Sequence, residues 1–248
     1  TNTVKIQLFA FDLDGTLTQH KTPLEPAARE ALHALRAQAP VVMVGAGDCL
    51  RIWRQMDGFP ADLIGNYGMQ RMDCVGEGMP PRPVRSDCAP VLSRAEANRR
   101  AAALRVRFGL TEFAGDSVEF HDSGVLTFAL LGTAAKQPDK LAFDPDRARR
   151  RVWLPEVVAA FPEYHVFVGG SSSFDLAPKP YCKSMALRNY CAEKRIPMAA
   201  VRYFGDDYGP GGNDADVLAA GFPFIRVDDY RAFPQLAHKI LSNPDFQN

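Results

Sequence analysis

Short apolar runs alternate with helical periodicity at both ends of this chain, and a different pattern fills the middle. Residues 6–11 read as a buried strand. Pro26 stands where a first helical turn tolerates proline. Ala28, Ala31, Leu32 and Leu35 then share one helical face. Val41 to Val44 is a second buried strand, and Asp48 is placed to cap a helix carrying Leu50, Ile52, Trp53 and Met56. Ala61 to Ile64 is a third. Near Gly76 the alternation stops, and the breaker-rich segment 76–83 reads as a linker. Beyond it Ser93-Arg94-Ala95-Glu96 is a capping box opening a helix that ends near Gly109. Val118–Phe120 and Val125–Leu131 read as strands joined at Asp122-Ser123-Gly124. A helix within 146–161 is expected to break or restart at Pro155, and strands near 164–168 and 173–176 follow. The alternation resumes with a helix over 183–194, a strand over 201–204, a helix after Asn213, a strand over 224–227 and a last helix to about Leu241.

This order predicts an α/β fold. A Rossmann-like parallel-sheet core domain takes residues 1–80 and 182–248, and an α+β domain with an antiparallel sheet is inserted at 81–181. The junction of two such domains is where a ligand site is expected.

The chemistry concentrates at the end of the first strand, in Phe11-Asp12-Leu13-Asp14-Gly15-Thr16-Leu17-Thr18. Two carboxylates two residues apart leave an extended strand on one side while Leu13 leaves on the other. Holding them together calls for a positive partner, and a hard divalent cation such as Mg²⁺ suits oxygen donors. Gly15 permits a sharp turn and close approach of a ligand. The outline is a phosphoryl-transfer site, with Asp12 as nucleophile and the metal holding the phosphate against it. The competing reading is a strand followed by an ordinary Asp-Gly turn.

Three later segments favour the first reading. Lys183 opens the helix by which the chain re-enters the α/β pattern, where it would neutralise a phosphate. The segment from Gly205-Asp206-Asp207 to Gly211-Gly212-Asn213-Asp214 puts aspartates at a strand end beside a glycine-rich loop, so Asp206 and Asp207 are candidate metal ligands. A polar turn with Asn213 as helix cap accounts for the same residues structurally. Gly45-Ala46-Gly47 lacks the third glycine of a dinucleotide fingerprint, since Leu50 stands there. It reads instead as a close-packed loop whose N–H groups meet a phosphate oxygen.

Composition narrows the picture by exclusion. Lys plus Arg and Asp plus Glu both number 29, which argues against a nucleic-acid partner. No apolar run approaches membrane-spanning length. Lys5 and Gln7 interrupt the first apolar stretch, so no signal-peptide pattern is read. The five cysteines are odd in number, irregularly spaced and without a Cys-x-x-Cys pair, which points to a reduced cytoplasmic protein. The histidines make no metal-ligand pattern.

With these residues in this order, the chain resembles the haloacid-dehalogenase-like superfamily, and the insert resembles its type II cap. Within it the sequence is similar to eukaryotic-type phosphomannomutases. Residues 11–18 resemble their nucleophile motif, and Val44-Gly45-Ala46-Gly47-Asp48 their Val-Gly-Gly-Ser-Asp loop. Gly169-Gly170 with Ser173-Phe174-Asp175 is similar to their cap motif, and Pro210-Gly211-Gly212-Asn213-Asp214 to their metal-loop motif. The resemblance implies Mg²⁺ held by Asp12, the Asp14 backbone carbonyl and Asp206. It implies Lys183, Thr16 and the Gly47 N–H on phosphoryl oxygens, and Asp14 as acid and base. Its cap positions imply substrate contacts at His121, Lys140, Ser173 and Asp175. Two departures stand out. Gly47 replaces the family's serine, and His121, Thr133 and Lys140 fall where the family has arginines for a second phosphate.

The expectation is therefore a Mg²⁺-dependent phosphatase of small phosphorylated metabolites such as sugar phosphates, acting as a monomer or homodimer. The alternative is a phosphomannomutase, and a remoter one is a non-catalytic phosphosugar-binding protein.

Overall fold

The computed structural model describes residues 4–248. They form two compact units. One comprises the described residues up to Ser86 with Lys183–Tyr208 and Asp214–Asn248, and the other comprises Asp87–Cys182 with Gly209–Asn213.

The first unit contains β1 (Leu8–Phe11), α1 (Pro26–Arg36), β2 (Val41–Val44), α2 (Cys49–Gln55), β3 (Asp62–Gly65), β4 (Gln70–Asp73) and β5 (Arg82–Ser86). The second contains α3 (Arg94–Phe108), β6 (Val118–Phe120), β7 (Leu126–Ala129), α4 (Gln137–Phe143), α5 (Ala148–Ala160), β8 (Tyr164–Gly169) and β9 (Ser173–Pro178). The first unit is completed by α6 (Lys183–Lys194), β10 (Val201–Gly205), α7 (Ala215–Ala219), β11 (Phe224–Arg226) and α8 (Phe233–Ser242).

Its seven-stranded sheet runs β11-β10-β1-β2-β3-β4-β5. The pairings from β11 through β3 are parallel, and β4 and β5 extend the sheet antiparallel. Successive side chains of a strand point to opposite faces. Accordingly Phe9, Phe11, Met43 and Leu63 pack with Leu32 and Leu35 of α1, Ile52 of α2 and Phe233 of α8. Leu8, Ala10, Val42, Val44 and Tyr203 pack with Ala186, Leu187 and Tyr190 of α6. Covering both faces explains why β1, β2 and β10 are wholly buried runs.

In the second unit an antiparallel sheet runs β6-β7-β9-β8. Phe128, Phe174 and Leu176 point into a core with Leu104 of α3 and Val157 of α5. Thr127 and Asp175 pair in register and belong to the opposite side of the pleat. The segment Gly209–Asn213 belongs to this unit: the Val168 N–H donates to the Gly211 carbonyl at 2.8 Å and Arg151 Nε to the Pro210 carbonyl at 3.2 Å.

Four local expectations are corrected. The segment read as a linker contains the start of β5, so the first unit runs on to Ser86. Helix α5 passes unbroken through Pro155. Proline removes only one helical hydrogen bond, to the Arg151 carbonyl. The flanking turns are held by buried Val157 and by Trp153, whose ring stacks on Phe108 with centroids 4.6 Å apart. Helix α4 was not expected; none of its residues is buried, so it carries no apolar face to read. The residue flanking α7 is Asp214 rather than Asn213, and its side chain makes no cap bond.

Candidate functional site

Asp12 follows β1 with the parity of Leu8 and Ala10, so its side chain continues the face covered by α6. Lys183 is the first residue of α6 and is fully buried. Its ammonium lies 2.7 Å from Asp12 Oδ1 and 3.0 Å from Asp214 Oδ1. Thr16 Oγ1 is 3.1 Å from Asp12 Oδ2 and 3.0 Å from Asp206 Oδ1, so one hydroxyl bridges the two carboxylates. Asp206 directly follows β10, the parallel neighbour of β1. The turn after Asp12 depends on Gly15, whose φ is +84° and where a Cβ would come within 2.3 Å of Asp206 Oδ2. Only glycine fits that approach.

Asp12, Asp206 and Asp214 present carboxylate oxygens that all lie within 4.8 Å of one another. With Lys183 as the one cation bonded in this group among the described residues, three ionised carboxylates leave two negative charges uncompensated. A divalent cation matches that charge, and hard oxygen donors suit Mg²⁺. The three are not equivalent. Asp214 is already bonded to Lys183, to the Tyr203 hydroxyl at 2.5 Å and to the Asp207 N–H at 3.0 Å. Asp12 and Asp206 therefore fit the cation, and Asp214 serves to hold the lysine.

Without a cation the crowding shows in the protonation equilibria. Burial pushes the Asp12 carboxyl up to about 8 against the pull of Lys183. Burial, followed by the charge of Asp12, pushes Asp214 up to about 7. Burial also raises Asp206. Burial opposes the charge on Lys183, but Asp12 and Asp214 outweigh it and its pKa is raised. The lysine thus stays charged, while the three carboxylates together retain protons that a divalent cation would displace.

The remaining expected residues divide by position. The Asp14 carboxylate lies outside the group of three. It accepts from Arg51 Nη2 at 3.1 Å, Gln55 Nε2 at 2.5 Å and the Lys21 N–H at 3.0 Å. The ligand implied at this position is its backbone carbonyl. Asp207 is buried; its carbonyl accepts from the Asp214 N–H, its own N–H donates to the Asp214 carboxylate, and its carboxylate is not in the group. In the loop after β2, the Gly45 N–H donates to the Ile64 carbonyl at 2.9 Å, so it is not available to a phosphate. Ala46 and Gly47 remain as donors of that loop.

In the second unit, His121 Nε2 lies 2.9 Å from Thr127 Oγ1, and Thr127 Oγ1 lies 3.5 Å from Asp175 Oδ1. Three of the adjacent chain segments thus bring these side chains together. Ser173 Oγ donates to the Gly169 carbonyl at the β8–β9 hairpin. Lys140 lies on α4, none of whose residues is buried. The Thr133 hydroxyl accepts from the Asp116 N–H at 2.9 Å, bracing a loop.

No family model matches the chain. Its sequence is similar to a probable phosphomannomutase of Caenorhabditis elegans, 26% identical over 230 residues that cover 86% of each chain. It is 23% identical to human phosphomannomutase 1, over 86% of this chain and 83% of the human one. The chain is phosphomannomutase-like in sequence, and its fold is of the haloacid-dehalogenase type. It shares that fold with IMP-nucleotidase of Plasmodium falciparum, solved with IMP bound, at a TM-score of 0.69 and 11% identity, over 96% of this chain and 68% of the other. A haloacid dehalogenase-like hydrolase from B. subtilis gives a TM-score of 0.58 and 16% identity, over 89% of both. This phosphomannomutase-like chain is an enzyme of the phosphotransferase class.

The sequence reading missed Asp214 and Tyr203 as parts of the site. Asp214 stood within a motif already singled out, but its tie to Lys183 spans 31 residues and has no local signature. Arg51 and Gln55, which hold Asp14, were read only as part of a helix.

Proposed function

We propose that this protein is a Mg²⁺-dependent phosphatase of small phosphorylated metabolites, sugar phosphates first among them, working in the cytoplasm. The observation that carries the reading is the Asp12–Lys183–Thr16–Asp206 cluster, because simple binding of a phosphate needs no buried carboxylate aimed beside a lysine. Asp12 attacks phosphorus and becomes an aspartyl phosphate. Lys183 offsets charge on the phosphoryl oxygens, and the N–H groups of Ala46 and Gly47 donate to them. Asp14 gives a proton to the leaving oxygen and afterwards takes one from water. Asp12, Asp206 and the Asp14 carbonyl would hold Mg²⁺, whose contribution when bound is to offset the charge of the phosphoryl group against the nucleophile.

Water is the favoured acceptor because the second unit offers little to a second phosphate. His121 is engaged with Thr127, and the Thr133 hydroxyl braces a backbone N–H. Lysine at 140 supplies only a point charge where an arginine fork would bind bidentately. The second reading is a phosphomannomutase, which the sequence similarity to proteins of that name favours.

The test is a hexose 1-phosphate supplied with Mg²⁺, with and without catalytic hexose 1,6-bisphosphate, scoring free phosphate against 6-phosphate. Phosphate release that is absent in Asp12→Asn supports the phosphatase. Bisphosphate-dependent isomerisation with little free phosphate would establish the mutase instead.

A further inference from the structure

The guanidinium of Arg51 joins two parts of the first unit. Nη2 is 3.1 Å from Asp14 Oδ2. Nη1 lies over Gly47, only 2.7 Å from where a Cβ at that position would sit. Asp48 caps α2 through Leu50 and Arg51 N–H and so fixes the first turn that carries the arginine. The side chain is 46% exposed. It thus reaches across the phosphate-loop glycine, occupying space that a serine at 47 would need, and ends on the carboxylate expected to act as acid and base.

We propose that Arg51 is a phosphate-binding residue that takes the place of a hydroxyl at position 47, and that it is parked on Asp14 until substrate arrives. The proposal rests on the phosphatase reading. A phosphate dianion offers a guanidinium bidentate oxygens and more charge than the single Asp14 carboxylate, which is 21% exposed, does. Its arrival draws Arg51 off Asp14 and leaves that carboxylate free to meet the leaving oxygen. Gly47 is then a requirement of the arrangement, because any side chain there must push the guanidinium aside.

The experiment compares wild type, Arg51→Met, Arg51→Lys and the double variant Gly47→Ser with Arg51→Met. Orthophosphate binding in the presence of Mg²⁺ is measured by calorimetry, and KM and kcat by hydrolysis of p-nitrophenyl phosphate. Arg51→Met is expected to weaken orthophosphate binding and raise KM on the order of tenfold, with a smaller change in kcat. Arg51→Lys should fall between, and the added serine should recover part of the lost affinity. Unchanged orthophosphate affinity in Arg51→Met, whatever happens to kcat, would show that Arg51 merely clamps Asp14 and would overturn the proposal. So would a wild-type protein that does not bind orthophosphate. A wild type that binds orthophosphate through Arg51 but hydrolyses nothing would support the assignment while removing the phosphatase reading.

Discussion

The hydroxyl of Tyr203 lies 2.5 Å from Asp214 Oδ1, the same oxygen that faces Lys183. Tyr203 is itself fully buried in β10. Its hydroxyl is therefore a fixed part of the support behind the lysine: tyrosine orients aspartate, and aspartate orients lysine toward Asp12. Tyr203→Phe removes one hydrogen bond to a charged group and nothing else in volume. It should cost about 1.5–3 kcal/mol of stability, read as a lowered denaturation midpoint. Lys183 keeps Asp12 as a partner, so turnover should fall less than in Asp214→Ala. Loss as complete as that caused by Asp214→Ala would mean that Tyr203 does more than orient.

Gly15→Ala tests the turn rather than the charges. The residue sits at a φ of +84°, a region costing a side chain about 1–2 kcal/mol, and its Cβ would strike Asp206 Oδ2. The core strands are remote from that strain, so the protein should still fold, with circular dichroism near wild type. Displacing Asp206 by a fraction of an ångström should lower kcat on the order of a hundredfold. Activity within a few-fold of wild type would show that the position of Asp206 does not matter.

What the chain order reveals and what it hides follow from the same physics. Strands β1, β2 and β10 are apolar runs because both their faces are covered, and that pattern is visible without coordinates. Strand β5 is an exposed edge containing Pro83, and β4 carries Arg71 and Asp73, so neither shows apolar periodicity. Asp12, Asp206 and Lys183 stand out in the sequence because each marks the end of an element. Which residues meet does not. Lys183 meets Asp12 across 171 residues and Thr16 meets Asp206 across 190, and such pairings depend on strand order rather than on local sequence. Asp14 differs. Strand alternation suggests a carboxylate beside that of Asp12, but the strand ends at Phe11 and the turn delivers the Asp14 carboxylate to Arg51 and Gln55.

Divalent cation and pH should act together on stability. Asp12 and Asp214 move from an ordinary value of 3.8 to about 8 and about 7 on folding. Between those limits the folded protein binds more protons than the unfolded chain, so the free energy of unfolding falls as pH rises. In chelator, the denaturation midpoint should therefore drop between pH 6 and pH 8 through these groups. Mg²⁺ competes with the same protons, so its stabilising effect should be larger at pH 8 than at pH 6. A Mg²⁺ effect of equal size at both values, or none at either, would remove the cation from this cluster.

Lys183→Met separates the role of the buried charge from that of the buried volume. Methionine fills much of the space but leaves Asp12 and Asp214 facing each other without a cation. Removing one partner of a buried ion pair typically costs about 3–5 kcal/mol, because the remaining charge stays desolvated. Here the cost depends on pH with a definite sign. Below the raised values of Asp12 and Asp214 both carboxyls hold protons and need no lysine, so the variant should lose little stability near pH 5. Toward pH 8 the wild-type carboxyls ionise beside the lysine, whereas those of the variant must keep their protons or ionise unpaired, so the loss should grow. Mg²⁺ should recover part of the stability at pH 8 but none of the turnover, since the cation cannot take the lysine's place on the phosphoryl oxygens. Denaturation midpoints for wild type and variant across this pH range, each with Mg²⁺ and with chelator, check the stability statements, and phosphate release by the variant at pH 8 with Mg²⁺ checks the turnover. A deficit that stays constant with pH would mean that the methionine simply packs badly, and that Lys183 is not the counter-charge of this cluster.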